Sequence, residues 1–274
     1  MTRRIPGRYV ALGDSFTEGV GDASRHLPNG VRGWADRVAE ALARDTPGWE
    51  YANLAIRSKR LRHIIAEQIE PALAMEPTLI TLYAGGNDVM DVGTSITSIL
   101  DQYEFLVSRL TESEATILLF TGYDVEVSPL LAPLRRKNHA YNLGIKAIAA
   151  KYGATVVDYA ALQAYANPRM WCSDRLHMSK RGHKYLAAHV LEVLQVSHGI
   201  VLKEKSHPPK LTWKQRGHGH YLWVAQWVVP LIGRKIRRTT LGDALTPRWP
   251  EPLRVPPRKG LKKVARSQSS TAAS

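Results

Sequence analysis

A chain of 274 residues with 44% apolar and 23% charged side chains has the makeup of a globular protein with a buried core. A lone cysteine, Cys172, excludes an internal disulfide framework, and no run reaches the roughly 18 to 20 apolar residues that a membrane span needs. The net charge of +14 is lopsided: residues 201–274 hold 16 Lys/Arg against 3 Asp/Glu, leaving 22 and 21 in residues 1–200.

Tyr9–Leu12 is short and wholly apolar and reads as a strand. Residues 33–45 follow with Trp34, Val38, Ala41 and Leu42 at helical spacing. Residues 51–55 form a second strand, and residues 61–75 a second helix through Leu61, Ile64, Ile65, Ile69 and Leu73. Pro77 marks a boundary before a third strand at 78–83. Helical spacing returns over 95–110. Residues 116–120 are the most apolar strand, and a helix over 138–152 ends at Gly153 in the position of a C-cap. A fifth strand at 155–157 and a last helix over 179–196 complete the pattern. Five apolar strands, each followed by a helix, predict a parallel five-stranded sheet covered on both faces, a three-layer α/β/α sandwich.

In such sheets ligands gather beyond the C-terminal ends of the strands. Ser15, in Gly13-Asp14-Ser15, follows the first strand; Asn53 to Ser58 follow the second; Gly85-Gly86-Asn87-Asp88 follow the third. Asp174-Arg175-Leu176-His177 lies between the fifth strand and the last helix. A serine hydroxyl becomes a nucleophile when a base takes its proton, and a carboxylate on the far nitrogen of that base fixes its tautomer. Asp174 and His177 are spaced to form such a pair. The Ser15 N–H, a backbone N–H after the second strand and the Asn87 amide are candidate donors to a developing oxyanion. Asp88 reads as structural, Ser179 as the cap of the last helix, and His183 as a packing residue. His63 and His139 read as surface or satisfied core residues, and Cys172 as a small apolar side chain.

With these four blocks in this order, residues 8–195 resemble the SGNH (GDSL) hydrolase family of esterases and lipases. The resemblance implies a flavodoxin-like fold and a catalytic set of Ser15, His177 and Asp174. It also implies an oxyanion hole from the Ser15 N–H, the Ser58 N–H and Asn87, with no metal and no cofactor. The sequence departs from the family at one point: Ser58 stands where a glycine is usual, so a donor there depends on a backbone that tolerates a Cβ. The expected activity is hydrolysis of a carboxylic ester, on a small-molecule, lipid or carbohydrate substrate. Transfer to another acceptor and carbohydrate or lipid deacetylation are alternatives on the same site. A different class of reading is a catalytically weak binding protein that works through its tail.

The sequence divides into a hydrolase domain at 1–197, a basic Trp-rich extension at 198–246 and a basic end at 247–274 expected to be disordered. Within the extension, residues 213–238 combine tryptophans with flanking Arg and Lys. They read as a packed helix, with peripheral membrane contact as a second reading and nucleic-acid contact the least favoured. The start of the chain lacks the apolar core of a secretory signal, so the expected location is the cytoplasm.

Overall fold

In a computed structural model, residues 6–91, 93–123, 132–202, 212, 217, 221, 225–226 and 240–271 are described. Strand β1 (Arg8–Gly13) leads through a four-residue helix α1 (Ser15–Glu18) and a loop to helix α2 (Trp34–Asp45). There follow β2 (Glu50–Asn53), α3 (Leu61–Ala74), β3 (Leu79–Tyr83), the short α4 (Gly86–Val89) and α5 (Ile96–Leu110). Next come β4 (Thr116–Phe120), α6 (Ala132–Tyr152), β5 (Thr155–Val157) and α7 (Lys180–Val193). Last are β6 (Trp249–Arg254) and α8 (Gly260–Thr271).

The strands form one sheet in the order β5-β4-β3-β1-β2-β6, with β1 to β5 mutually parallel. Successive residues of β1 serve opposite faces, as a pleated strand requires. Tyr9 and Ala11 join Trp34, Val38 and Leu42 of α2 with Leu186 and Val190 of α7. Val10 and Leu12 join Leu61 and Ile64 of α3, Ile99 and Leu106 of α5 and Tyr141 of α6. Both faces are buried, which explains why these strands are runs of apolar residues rather than alternating ones. Local signals work as their chemistry dictates: Ser95 and Ser179 cap α5 and α7, and Gly153 takes a φ of +68° after α6.

Two expectations need correction. The sheet has six strands, because β6 pairs antiparallel with β2, Glu50 facing Arg254 and Asn53 facing Trp249. The basic end is therefore not disordered over 249–271, and the folded unit does not close at residue 197. Pro250 and Pro252 lower the strand propensity of this segment, yet proline is tolerated on an outer strand with one unpaired edge. Burial of Trp249, Val255, Leu261 and Ala265 supplies the packing that composition alone conceals.

Charged residues on the buried face of α2 explain the attachment. Asp36 pairs with Arg248, both side chains fully buried, and Arg37 pairs with Asp22. Glu40 pairs with Arg32 and accepts the Leu261 N–H that opens the first turn of α8. Apart from Gly217, Tyr221, Ala225 and Gln226, the Trp-rich run 213–238 lies outside the described residues. Among the described residues no helix is long and apolar enough to cross a membrane.

Candidate active site

Gly13 ends β1 with a φ of +139°, and a Cβ there would lie 2.1 Å from the Tyr83 carbonyl oxygen of the neighbouring strand. Only glycine fits so close a backbone approach. Gln68 of α3 holds this residue from both sides: its Oε1 accepts the Gly13 N–H and its Nε2 donates to the Gly13 carbonyl, each at 2.9 Å. The chain then turns into α1, with the Asp14 side chain accepting the Phe16 N–H. That turn puts Ser15 at the first helical position, where its N–H has no intrahelical acceptor.

The Ser15 Oγ lies 2.9 Å from His177 Nε2, and His177 Nδ1 lies 2.6 Å from Asp174 Oδ2. Asp174 and His177 occupy a tight loop closed by the Trp171–Met178 bridge and by a Cys172 N–H to His177 carbonyl bond of 2.8 Å. The other Asp174 oxygen accepts the N–H groups of Leu176 and His177. Burial pushes the Asp174 carboxyl up, but the His177 ring and these N–H donors outweigh it and hold the group below its ordinary range. The carboxylate thus stays ionised against the imidazole. The Phe16 ring packs on the His177 ring with centroids 5.7 Å apart, shielding one side of the base.

Of the three expected oxyanion donors, Asn87 lies in α4. Its Nδ2 donates to the Lys59 carbonyl at 2.9 Å and reaches Asp14 Oδ2 at 3.3 Å. Those partners adjoin Ser58 and Ser15 in the chain. Burial pushes the Asp14 carboxyl up to about 7, and Asp88 and Glu18 add to the effect against the Phe16 N–H bond. Burial thus favours the uncharged form of the group facing the Asn87 amide.

Ser58 has a φ of +68°, the left-handed conformation that favours glycine. Its strain is held by a clamp that the sequence reading missed. The Arg57 N–H donates to Glu18 Oε2 at 2.6 Å, and its guanidinium grips the same carboxylate through Nε and Nη2. Glu18 is fully buried on α1, so the nucleophile helix and the Ser58 turn are tied by one ion pair. Its only sequence signal is a charged residue within an otherwise buried segment. Ser58→Gly is expected to relieve roughly 1 kcal/mol of left-handed strain while keeping turnover, because the backbone N–H remains. Urea unfolding with ester kinetics checks this; a large loss of turnover would assign the Ser58 hydroxyl a role of its own.

Other sequence assignments resolve cleanly. Asp88 accepts the Leu61 N–H at the start of α3, a structural use. The Cys172 Sγ bonds the carbonyls of Gly21 and Met178, and burial pushes its thiol up to about 11, which leaves it protonated and unreactive. His63 accepts the Arg60 N–H at the head of α3.

His183 is fully buried and bonds the Val20 carbonyl through Nε2 at 3.0 Å. Burial, with help from nearby Arg37, His177 and Arg248, pushes its imidazole down to about 3. Between that value and the ordinary 6.5, the unfolded chain binds a proton that the folded one refuses, so stability falls as pH drops through this window. His183→Gln, which keeps a donor for Val20, is expected to flatten the loss of urea midpoint between pH 6.5 and pH 4. An unchanged slope in the variant would show that other groups govern the acid limb.

A mostly parallel α/β/α sandwich with a Ser–His–Asp line at its strand ends has the architecture of an ester hydrolase of the SGNH class. Residues 11–185 match the GDSL-like Lipase/Acylhydrolase family, and the chain belongs to that family. It is 25% identical over 199 residues to the GDSL esterase/lipase CPRD49 of Arabidopsis thaliana, a stretch spanning 65% of this chain and 72% of that protein. Its fold is similar to that of Axe2, an acetylxylan esterase from Geobacillus stearothermophilus. The TM-score is 0.60 at 22% identity, covering 72% of this chain and 98% of the other. A lipase/acylhydrolase from Enterococcus faecalis matches with a TM-score of 0.55 at 19% identity, covering 69% of this chain and 95% of the other.

Proposed function

We propose that Ser15 is the nucleophile of a two-step carboxylic ester hydrolysis, with His177 as its base and Asp174 as the group that orients the base. The observation that carries this reading is the unbroken line from Ser15 Oγ through both nitrogens of His177 to Asp174. In the first step Ser15 Oγ attacks the carbonyl carbon as its proton passes to His177 Nε2. The tetrahedral oxyanion is received by the N–H groups of Ser15 and Ser58 and by the Asn87 amide, which exchanges its longer bond, 3.3 Å to Asp14, for the oxyanion. Its collapse expels the alcohol, which takes the proton from His177 and leaves an acyl-Ser15. Water, deprotonated by the same imidazole, then releases the acid and restores the hydroxyl.

The test is active-site labelling with a fluorophosphonate and mapping of the adduct by peptide mass spectrometry. Modification at Ser15, blocked by Ser15→Ala, is the expected result; modification elsewhere, or none, overturns the assignment.

A second reading is removal of acetyl groups from a carbohydrate; the fold neighbour from Geobacillus stearothermophilus is an acetylxylan esterase. Trp171, at the base of the Asp174–His177 loop, is the half-buried aromatic side chain that tests it, its ring packed on Tyr123 and Tyr165. Turnover of an acetylated xyloside, compared with p-nitrophenyl esters of rising chain length, separates the two. Faster turnover of the xyloside together with a KM raised by Trp171→Ala supports the sugar reading, and indifference to both rejects it.

A further inference from the structure

A cavity of about 230 Å3 opens between the loop after α1, the start of α7 and the C-terminal helix α8. Five cationic side chains line it: Arg25, Arg32, Arg37, Lys180 and Lys262. Two carboxylates answer them. Asp22, in the wall, pairs with Arg37, and Glu40, beneath, pairs with Arg32. Arg37 spends its other donors on the carbonyls of Arg32 and Gly33. Arg25 turns its Nε to His26 Nε2 at 3.2 Å and meets no carboxylate among the described residues. Among the described residues, Lys180 and Lys262 have no carboxylate within ion-pair distance. The cavity therefore holds an excess of positive charge that no carboxylate among the described residues neutralises.

Arg32 is anchored to Glu40 through Nη2, and its guanidinium forms part of the cavity wall. Three separate parts of the fold converge to build the cavity. Lys180 follows the Ser179 cap of α7, Lys262 sits in the first turn of α8, and the arginines come from 25–37. None of these residues takes part in the Ser15–His177–Asp174 line.

We infer that this cavity is a binding site for a terminal phosphoryl group, carried by a soluble phosphate monoester or by a lipid headgroup. A phosphate monoester near pH 7 bears close to two negative charges and three terminal oxygens, matching several donors that converge from different directions. A carboxylate offers one charge and two oxygens and would leave most of the excess unanswered. Guanidinium groups meet phosphate oxygens through a planar fork of N–H donors, and ammonium groups add compact point charges. A ligand held there would also tie α8 to α7, since Lys262 and Lys180 would share it. It touches the neighbourhood of the ester site: a Cβ on Gly21, beside Asp22, would lie 2.1 Å from the Met178 carbonyl oxygen.

The test uses the full chain and its Ser15→Ala form, so that binding is read without reliance on turnover. Glycerol 3-phosphate is titrated calorimetrically at fixed ionic strength, with sodium acetate as the control anion. Vesicles of phosphatidylcholine with and without phosphatidic acid are sedimented with the protein. Lys180→Ala/Lys262→Ala removes two exposed rim charges without touching the core. Lys146→Ala/Lys151→Ala removes two charges on another face and keeps the same net charge.

The expected result is saturable binding of glycerol 3-phosphate or of phosphatidic-acid vesicles. It should weaken at least tenfold in the rim variant and stay unchanged in the charge-matched one. Binding of glycerol 3-phosphate alone assigns a soluble ligand; binding of vesicles alone assigns a lipid headgroup. Equal binding of acetate, equal loss in both lysine variants, or no saturable binding of either phosphate overturns the inference.

Discussion

Ser15→Ala is expected to lower kcat/KM for p-nitrophenyl acetate by about 10⁴- to 10⁶-fold, with KM little changed. The size follows from the geometry. Ser15 Oγ is the atom 2.9 Å from the imidazole, and alanine leaves no oxygen to form the acyl intermediate. His177→Ala should cost about as much, because a hydroxyl without its base is a poor nucleophile. The double variant should be scarcely worse than either single one, since the two groups act as a unit. Asp174→Asn should cost on the order of 10⁴, through loss of the charge and of the tautomer fixed by the 2.6 Å bond to His177 Nδ1. Additive losses across the series would refute a single relay. Circular dichroism on each variant separates chemistry from misfolding.

The largest stability effect is expected at Arg248. Its guanidinium bonds Asp36 twice, at 2.7 and 3.2 Å, and also donates to the carbonyls of Glu18 and Pro28. Arg248→Met leaves Asp36 charged, fully buried and without its counter-ion, which costs about 3–5 kcal/mol. Against a total stability of roughly 5–15 kcal/mol this is a large fraction, and the urea midpoint should fall accordingly. Asp36→Leu in the same chain should recover part of the loss, because the stranded charge is then gone. Recovery should stay incomplete, since the Tyr51 hydroxyl also donates to Asp36. A midpoint shift equivalent to less than 1 kcal/mol in Arg248→Met would show that the C-terminal segment docks through apolar contacts alone.

These two sites differ in how far the sequence announces them. Ser15 and Asn87 are short-range signals, each a few residues past an apolar strand, and Asp174 and His177 form a local pair in the connection from the fifth strand to the last helix; sheet geometry sends such connections to one edge. The helices at 34–45, 61–74 and 96–110 are equally plain, because one face of each meets the sheet and the 3.6-residue period records it. Ser58 was visible as a departure, but its φ of +68° and its clamp to Glu18 were not, since a backbone angle leaves no mark on residue type once glycine is absent. Gln68, which grips Gly13 from 55 residues away, has no local signature either.

The C-terminal segment marks the boundary most sharply. By itself the sequence determined the parallel core, its two covered faces and the edge where the reactive groups meet, because those features repeat over a few residues and need no distant partner. Only the tertiary structure decided that residues 249–271 close the sheet and cover α2. The segment Trp249–Arg254 has two prolines and little strand propensity, and Arg248 reads as one more charge in a basic tail. Its place is set by Asp36, 212 residues earlier, and by the free edge of β2, while burial of Trp249, Val255 and Leu261 supplies the packing. A buried ion pair and a borrowed strand edge are properties of two segments together, and neither segment carries them alone.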